Sequence, residues 1–382
     1  MNVLYLTEDY LYSKVHNNLL NSLLKQNPSL VIYVFAPARK GQDRSRSLQG
    51  SFKHNKRLIE IIPQVDIPIY LYKFDFWAKI RCKVRLIEKY VPITKIDAIH
   101  AATLYSEGGT ARELQKKYGI PFLASIRGAD MMFYTRRMPH LWLTGINVIR
   151  HANALVCVTP SIKKNLIGRW QYTIVKEVLE NADVVYNGID TIWLDNLDTK
   201  PRPLGNPVRV LYIGRFDKNK NVLRLIEAIK KVKKTYNIII TLIGGKGEEH
   251  DAVLKEVIEN QDYMEYLGPI YDKIRLMEVV KQSDIFAMVS HSETFGLVYA
   301  ECLTQGLPLL YTKGTGFDGI YPQGVVGYGV SSYSVEDMKD SIEKIIENYT
   351  VLRQNVENID FSRYSWDCIS MRYVSIYNTI CS

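Results

Sequence analysis

Residues 208–221 read Val208-Arg209-Val210-Leu211-Tyr212-Ile213-Gly214-Arg215-Phe216-Asp217-Lys218-Asn219-Lys220-Asn221. An apolar run stops at a glycine and passes through a charged turn. Helical spacing then takes over from Val222 to Tyr236, and a second apolar run follows at Ile238–Ile243. Strand, turn, helix and strand in that order make the repeating unit of a parallel sheet covered by helices. The turn lies where a strand ends and a helix opens, which is where open α/β sheets bind ligands.

The same alternation extends in both directions. Downstream come strand runs at Ile285–Val289 and Pro308–Tyr311, with a helix near Gly296–Gln305 between them. Upstream, strands are expected at Val3–Leu6, Leu30–Phe35, Ala98–Ala101, Pro121–Ile126 and Ala154–Val158. Helices are expected at Lys14–Lys25, Trp77–Tyr90, Glu107–Lys117 and Leu141–His151. Between the halves, Asp195–Pro207 is polar and holds Pro201, Pro203 and Pro207, which deny hydrogen bonds to helix and sheet, so it reads as a linker. The expectation is α/β, with two Rossmann-like domains on parallel sheets, residues 1–190 and 191–382. The last helix, about 366–382, is expected to pack across the boundary.

At 382 residues and 47% hydrophobic content, the chain suits two cores and not a disordered polymer. Its apolar runs are strand-sized, too short to span a bilayer. The start enters a strand directly, without the pattern of a signal peptide. Five scattered cysteines, Cys82, Cys157, Cys302, Cys368 and Cys381, lack metal spacing. These features together read as a reduced, cytoplasmic protein. Charge is uneven: residues 1–190 carry 27 Lys and Arg against 15 Asp and Glu, and the remainder 22 against 25. An anionic partner of the first half, or merely a solvated basic surface, accounts for this equally.

Two segments of the second half carry the chemistry. On the turn after Ile213, Arg215 and Lys220 flank a backbone left open by Gly214, which suits a diphosphate; solvated loop cations are the plainer reading. The second segment runs Ser290-His291-Ser292-Glu293-Thr294-Phe295-Gly296-Leu297-Val298-Tyr299-Ala300-Glu301. A helix entered at Gly296 presents amide groups and a positive dipole end to an anion. Glu293 and Glu301 stand roughly 7–8 Å apart along that axis, so one ligand can meet a carboxylate at each end. A solvated glutamate is the ordinary reading of either alone. A third run, Gly314, Gly316 and Gly319, matches the dinucleotide spacing. Pro322 and Gly324 fall where its helix should run, which disfavours a simple dehydrogenase.

With these residues in place, the chain resembles the retaining glycosyltransferases of family four, of GT-B fold. The resemblance is densest from Gly214 to Gly319. It rests on Glu293 and Glu301 around Thr-Phe-Gly-Leu-Val, and on the Gly214-Arg215 turn with Lys220. Tyr186-Asn187-Gly188-Ile189-Asp190, Tyr266-Leu267-Gly268, and Phe361-Ser362 through Trp366 add to it. The resemblance implies a cleft between the domains and transfer of a hexose, with retention, from a UDP- or GDP-linked sugar. Arg215 and Lys220 would hold the diphosphate and Glu301 the ribose. Glu293 would meet the transferring sugar beside the amides of Phe295, Gly296 and Leu297, and the base would lie near Leu267 and Gly268. The implied acceptor is a saccharide, lipid-linked or part of a growing cell-surface polysaccharide, with a soluble acceptor as the alternative.

The chain departs from the family where a His-Gly-x-Asp-like segment is usual. Ser125-Ile126-Arg127-Gly128-Ala129-Asp130 stands there, and a permanent cation is no base at neutral pH. Arg127 is then a phosphate-binding candidate and Asp130 a hydroxyl-orienting one. The glycine-rich first loop is replaced by Leu6-Thr7-Glu8-Asp9-Tyr10-Leu11-Tyr12. No Asp-x-Asp pair occurs, so neither metal nor cofactor is expected. The rival readings are a sugar-nucleotide epimerase or hydrolase, a non-catalytic scaffold and, last, a nucleic-acid binder without a recognised module. Trp77–Tyr90, an apolar stripe of Trp77, Ile80, Val84 and Ile87 ringed by Lys79, Arg81, Lys83, Arg85 and Lys89, reads either as a helix packed on the sheet with solvated charges or as a surface docking on anionic membrane. Met131–Trp142 joins it, with Phe133, Tyr134, Arg136 and Arg137. A cytoplasmic protein is expected, peripheral on the inner membrane face on the docking reading.

Overall fold

The computed structural model describes residues 1–39, 55–65 and 75–382, which divide into two compact units. Unit 1 comprises Met1–Val158, Ile162–Gly188 and Trp366–Ser382; unit 2 comprises Ile189–Ser365 with Thr159–Ser161.

Among the described residues, the sheet of unit 1 has seven strands: β1 (Asn2–Leu6), β2 (Val31–Phe35), β3 (Leu58–Ile61), β4 (Ala98–Ala101), β5 (Phe122–Ile126), β6 (Ala154–Cys157) and β7 (Asp183–Val184). They lie in the order β3-β2-β1-β4-β5-β6-β7, all parallel. β1, β4 and β5 are covered on both faces, so their residues are almost uniformly apolar. Helices α1 (Lys14–Gln26), α2 (Phe76–Tyr90), α3 (Ser106–Tyr118) and α4 (Trp142–His151) form where helical spacing predicts them. Ile80 and Ile87 of α2, with Ala111, Leu114, Val148 and Ile149, close one face of the sheet.

The other face is closed by α1 and, from the far end of the chain, by the helix Trp366–Cys381. Trp366, Ile369, Tyr373 and Tyr377 share a core with Leu19, Leu20, Leu23 and Leu24 of α1. Asp367 accepts from Ser22 (2.9 Å) and pairs with Lys25 (2.9 Å). Residues 366–382 therefore belong with the first unit and not with 191–365. The reason is burial, since the aromatic stripe completes a face that α1 alone leaves open.

Unit 2 has six parallel strands: β8 (Val208–Gly214), β9 (Ile238–Gly244), β10 (Met264–Gly268), β11 (Ile285–Ala287), β12 (Leu309–Thr312) and β13 (Gly327–Val330). Their order is β10-β9-β8-β11-β12-β13. Helix α5 (Val222–Val232) buries Val222, Leu225, Ile226, Ile229 and Val232, and α6 (Leu297–Thr304) follows β11. α5 stops short of Tyr236 because Lys234, Thr235 and Tyr236 tighten into turns on Lys231 and Val232. The proline-bearing segment 195–207 lacks regular structure beyond residue 195, yet it is fastened to unit 2. Buried Arg353 donates to the carbonyls of Gln305 (3.2 Å) and Lys200, and Arg202 to those of Lys281 and Ser283.

Two histidines sit in the core of unit 1. His100 bonds Tyr377 Oη (2.6 Å) and Ser125 Oγ (3.1 Å), and His16 bonds Tyr5 Oη (2.7 Å). Burial, with Arg127 nearby, pushes both well below the usual histidine pKa, so folding keeps them neutral. The unfolded chain then binds more protons below about pH 6.5. This contribution to stability is complete above that pH and is lost as pH falls through it. Urea denaturation from pH 7 to 5.5 should show a stability slope that His100→Gln makes shallower by about 0.8 kcal/mol per pH unit on average. An unchanged slope would refute the assignment.

Candidate functional site

In unit 2 the chain leaves β8 towards β9 on one side, while β11 lies on the other. The crevice beyond the carboxyl ends of β8 and β11 is therefore the topological switch point, where a parallel sheet has room for a ligand. The Gly214–Asn221 turn and the Ser290–Gly296 loop both open there.

These loops are stitched together by asparagines. Asn219 Nδ2 donates to the Ser292 carbonyl (3.0 Å), its Oδ1 accepts from the Ser292 amide (3.1 Å), and its own carbonyl accepts from His291 (2.7 Å). Asn221 Nδ2 donates to the carbonyls of Val289 (3.1 Å) and Ser332 (2.8 Å). So held, Lys220 Nζ lies 2.6 Å from Glu293 Oε2. The Arg215 guanidinium reaches Asp217 (2.8 Å), yet its side chain stays 70% exposed. Lys220 is thus engaged by Glu293, while Arg215, paired with Asp217, remains exposed.

The glycine-rich run 314–319, weak evidence as a motif, braces Glu293 from behind. Thr315 Oγ1 accepts from the Glu293 amide (2.9 Å) and donates to the Glu293 carbonyl (2.8 Å). A Cβ on Gly316 would come within 2.8 Å of Glu293 Cβ, so this approach requires glycine. Gly296 caps α6 at φ 76°, in the left-handed region. Beyond it, Leu297 opens the helix, whose first-turn amides have no acceptor within it. Phe295 turns its ring into a buried cluster with Phe317 and Tyr364, so its side chain is not presented to a ligand.

Glu301 sits in the second turn of α6. Burial pushes its carboxyl up to about 7, against the opposing charge of Lys273, which itself pairs with Asp190. Leu267 and Gly268 close β10 at the same sheet edge. Sequence reasoning passed over Lys273, which no motif spacing marks. It also passed over Gly244-Gly245-Lys246-Gly247, although glycines directly after a strand are a legible signal. That loop ends β9, and its Lys246 carbonyl accepts from the Phe216 amide (2.9 Å), so it joins the same edge.

The two candidates in unit 1 fare differently. Asp130 is fully buried, and its oxygens accept from the amides of Leu104 (3.1 Å) and Arg127 (2.9 Å). Burial raises its carboxyl to about 7, although those amides oppose the shift. It locks the loops after β4 and β5 together instead of orienting a ligand hydroxyl, a correction to the expected role. Arg127 is half-buried, with Nε on the Ala102 carbonyl (3.0 Å) and Nη1 near Asn187 Oδ1 (3.4 Å). The ring of α2 cations also needs correction, because Lys79 and Lys83 are buried in ion pairs with Glu8, and Lys83 pairs with Glu107 as well. Trp77 of the expected stripe is exposed.

Comparison with known proteins follows the same division. Residues 17–193 match the family described as Glycosyltransferase Family 4, and residues 195–360 match Glycosyl transferases group 1. An uncharacterised glycosyltransferase of Methanocaldococcus jannaschii is 25% identical over 290 residues, 75% of this chain and 76% of that protein. The chain spans about half the length of several other curated relatives. Among solved structures, HepE of Anabaena in complex with UDP is similar at a TM-score of 0.71 and 16% identity, over 99% of this chain and 100% of that one. The same protein has been solved with UDP-glucose. The lipopolysaccharide outer core galactosyltransferase WaaB is similar at 0.71 and 14%, over 98% and 99%.

Asn219 is the joint between the two loops. Replacing it with alanine removes both side-chain bonds to Ser292 and leaves that carbonyl and amide without their partner. Asn219→Ala should destabilise unit 2 by about 1–3 kcal/mol in equilibrium denaturation. Stability within about 0.5 kcal/mol of the parent, the range of an ordinary surface substitution, would show that the stitch is dispensable.

Proposed function

We propose, from the premise that the chain belongs to the family 4, group 1 glycosyltransferases, that it transfers a hexose with retention from a nucleotide-linked sugar to a saccharide acceptor. The observation that carries this reading is the Lys220–Glu293 pair at 2.6 Å beside the exposed Arg215 guanidinium, all at the switch point of unit 2. Without donor, Glu293 neutralises Lys220. A diphosphate takes the lysine over, joined by Arg215 and the first-turn amides of α6, and releases the Glu293 carboxylate to the hydroxyls of the sugar. Charge developing on the leaving diphosphate then meets preorganised donors. The leaving phosphate takes the proton of the attacking hydroxyl on the same face of the sugar. Glu293 stabilises and positions; it is not a covalent nucleophile. Glu301 accepts from the ribose hydroxyls, and this arrangement calls for no divalent metal.

UDP is the first nucleotide to test, because HepE is solved with UDP and UDP-glucose; GDP is the second. The deciding experiment measures nucleotide release from UDP-, GDP- and ADP-sugars, with and without chelator, for the parent chain and for Lys220→Met and Glu293→Gln. Release by the parent that persists in chelator, with kcat lowered in both variants, is expected. Loss in chelator that magnesium restores would overturn metal independence, and parental turnover in Glu293→Gln would remove that residue.

The raised carboxyl of Glu301 makes donor affinity pH-dependent. Only the carboxylate accepts from both ribose hydroxyls, and the free protein protonates it below about pH 7. UDP affinity measured by calorimetry should fall roughly tenfold from pH 8 to pH 6, and Glu301→Gln should flatten that dependence. A profile identical in both proteins would exclude Glu301 from the ribose site.

The acceptor is proposed to be lipid-linked or part of a cell-surface polysaccharide, reached from the inner face of a membrane. No helix among the described residues is long and apolar enough to cross one. Support comes from an exposed apolar and basic surface of unit 1. Phe133 lies under the Arg137 guanidinium, Arg136 and Leu143 are exposed beside it in sequence, and Trp170 stands edge-on to Trp142. Of the basic residues of 1–190, Lys40, Arg44, Arg46, Lys53 and Lys73 lie outside the described residues. Each basic side chain at an anionic surface contributes about 1 kcal/mol. Co-sedimentation with anionic vesicles should therefore fall with salt and with Leu143→Ser/Trp170→Ser. Retention in the supernatant at low salt would make the acceptor a soluble one.

A further inference from the structure

Unit 1 has its own switch point. The chain leaves β1 for β2 on one side, and β4 flanks β1 on the other. Beyond the carboxyl ends of β1 and β4 stand Glu8 and, across from it, Thr103, Ser106 and Glu107. Two lysines of α2 reach under them. Glu8 Oε1 lies 2.7 Å from Lys79 Nζ and 2.5 Å from Lys83 Nζ, and accepts from Ser106 Oγ (3.1 Å). Lys83 also donates to Ser106 Oγ (2.6 Å) and Glu107 Oε1 (3.0 Å), and Thr103 Oγ1 donates to Glu107 Oε2.

The four charges are not equally placed. The side chains of Lys79, Lys83 and Glu107 are 4%, 6% and 3% exposed, whereas that of Glu8 is 32% exposed. Burying two ammonium groups is costly, and well-packed apolar residues serve stability as well or better. The buried charges instead fix one carboxylate at the mouth of the crevice. Burial opposes charge on Glu8, but Lys83 and Lys79 outweigh it and hold the carboxyl well below its usual range. Asp9, exposed next to it, adds to the negative edge.

We infer that Glu8 is the acceptor-binding carboxylate of this chain, and that the group it binds is the hydroxyls of a neutral saccharide and not a sugar phosphate. Both buried lysines are already matched by Glu8 and Glu107, and Arg127 is held by Ala102 and Asn187. What the network turns to solvent is a hydrogen-bond acceptor whose charge the lysines balance, so it accepts from hydroxyls and offers a phosphate no uncompensated cation. The inference rests on the reading of the chain as a saccharide-forming transferase and supplies the acceptor class.

The test uses the full chain with UDP present. Saturation-transfer NMR titrates the methyl α-glycosides of glucose, galactose and mannose, with glucose 6-phosphate as the anionic probe. At least one neutral glycoside should bind more tightly than glucose 6-phosphate, and Glu8→Gln should weaken it tenfold or more. Because Glu8→Gln leaves buried lysines short of a counter-charge, Glu8→Gln/Lys79→Met is measured alongside it. The double variant restores charge balance, so it should melt like the parent and still fail to bind the glycoside. Tighter binding of glucose 6-phosphate, no transfer to any neutral glycoside, or parental affinity in the folded double variant each overturns the inference. UDP affinity, read separately by calorimetry, should not change in either variant. Its absence in the parent as well would count against the donor assignment and leave the glycoside result to stand alone.

Discussion

Asn219 meets both the amide and the carbonyl of Ser292. A turn after one parallel strand and a loop after its neighbour share no ladder, so nothing in the sheet itself fixes their separation. A side chain with one acceptor and two donors supplies that missing register. Lys220 is next in sequence to Asn219, and Glu293 is next to Ser292, so the 2.6 Å ion pair follows from the bond between their neighbours. Thr315 adds the same kind of two-way bond on the far side of Glu293. The carboxylate is therefore placed by backbone contacts on both sides before any ligand arrives, which is what preorganisation requires.

Much of this was legible in the sequence because parallel strands buried on both faces must be apolar throughout. The runs at Val3–Leu6, Ala98–Ala101 and Val208–Ile213 match β1, β4 and β8 to within a residue. The residues proposed for the donor side stand out in the sequence for a different reason. Gly214, Arg215, Lys220, Glu293, Gly296 and Glu301 form patterns that lie wholly within two short segments, so no knowledge of the fold was needed to bring them together. The long-range partners left no such trace. Nothing adjacent to Glu8 announces that Lys79 and Lys83 approach it, and on a helical projection of α2 they look like any solvated cations. Burial of an ion pair is set by elements far apart in sequence, and periodicity cannot report it. Asp130 shows the converse, since a carboxylate in a family-like position turned out to be occupied by two backbone amides.

The two units use charge in opposite ways. In unit 2 the exposed group at the crevice is a guanidinium, with its neighbouring lysine held in reserve by a carboxylate. In unit 1 the cations are sunk and a carboxylate faces outward. On the proposed readings, the first arrangement serves a diphosphate and the second hydroxyls, and the group presented decides which ligand is desolvated cheaply.

The helix Trp366–Cys381 closes the face of unit 1 that α1 leaves open, yet it is synthesised after every residue of unit 2. Translation delivers roughly 5–20 residues per second, so about ten to forty seconds separate the emergence of β7 from that of the helix. For that interval Leu19, Leu20, Leu23 and Leu24 have no partner from the chain's end, while unit 2 can complete itself first. Unit 2 is thus fully synthesised before unit 1 has its last element, and during that window the face beside α1 lacks the aromatic stripe that covers it.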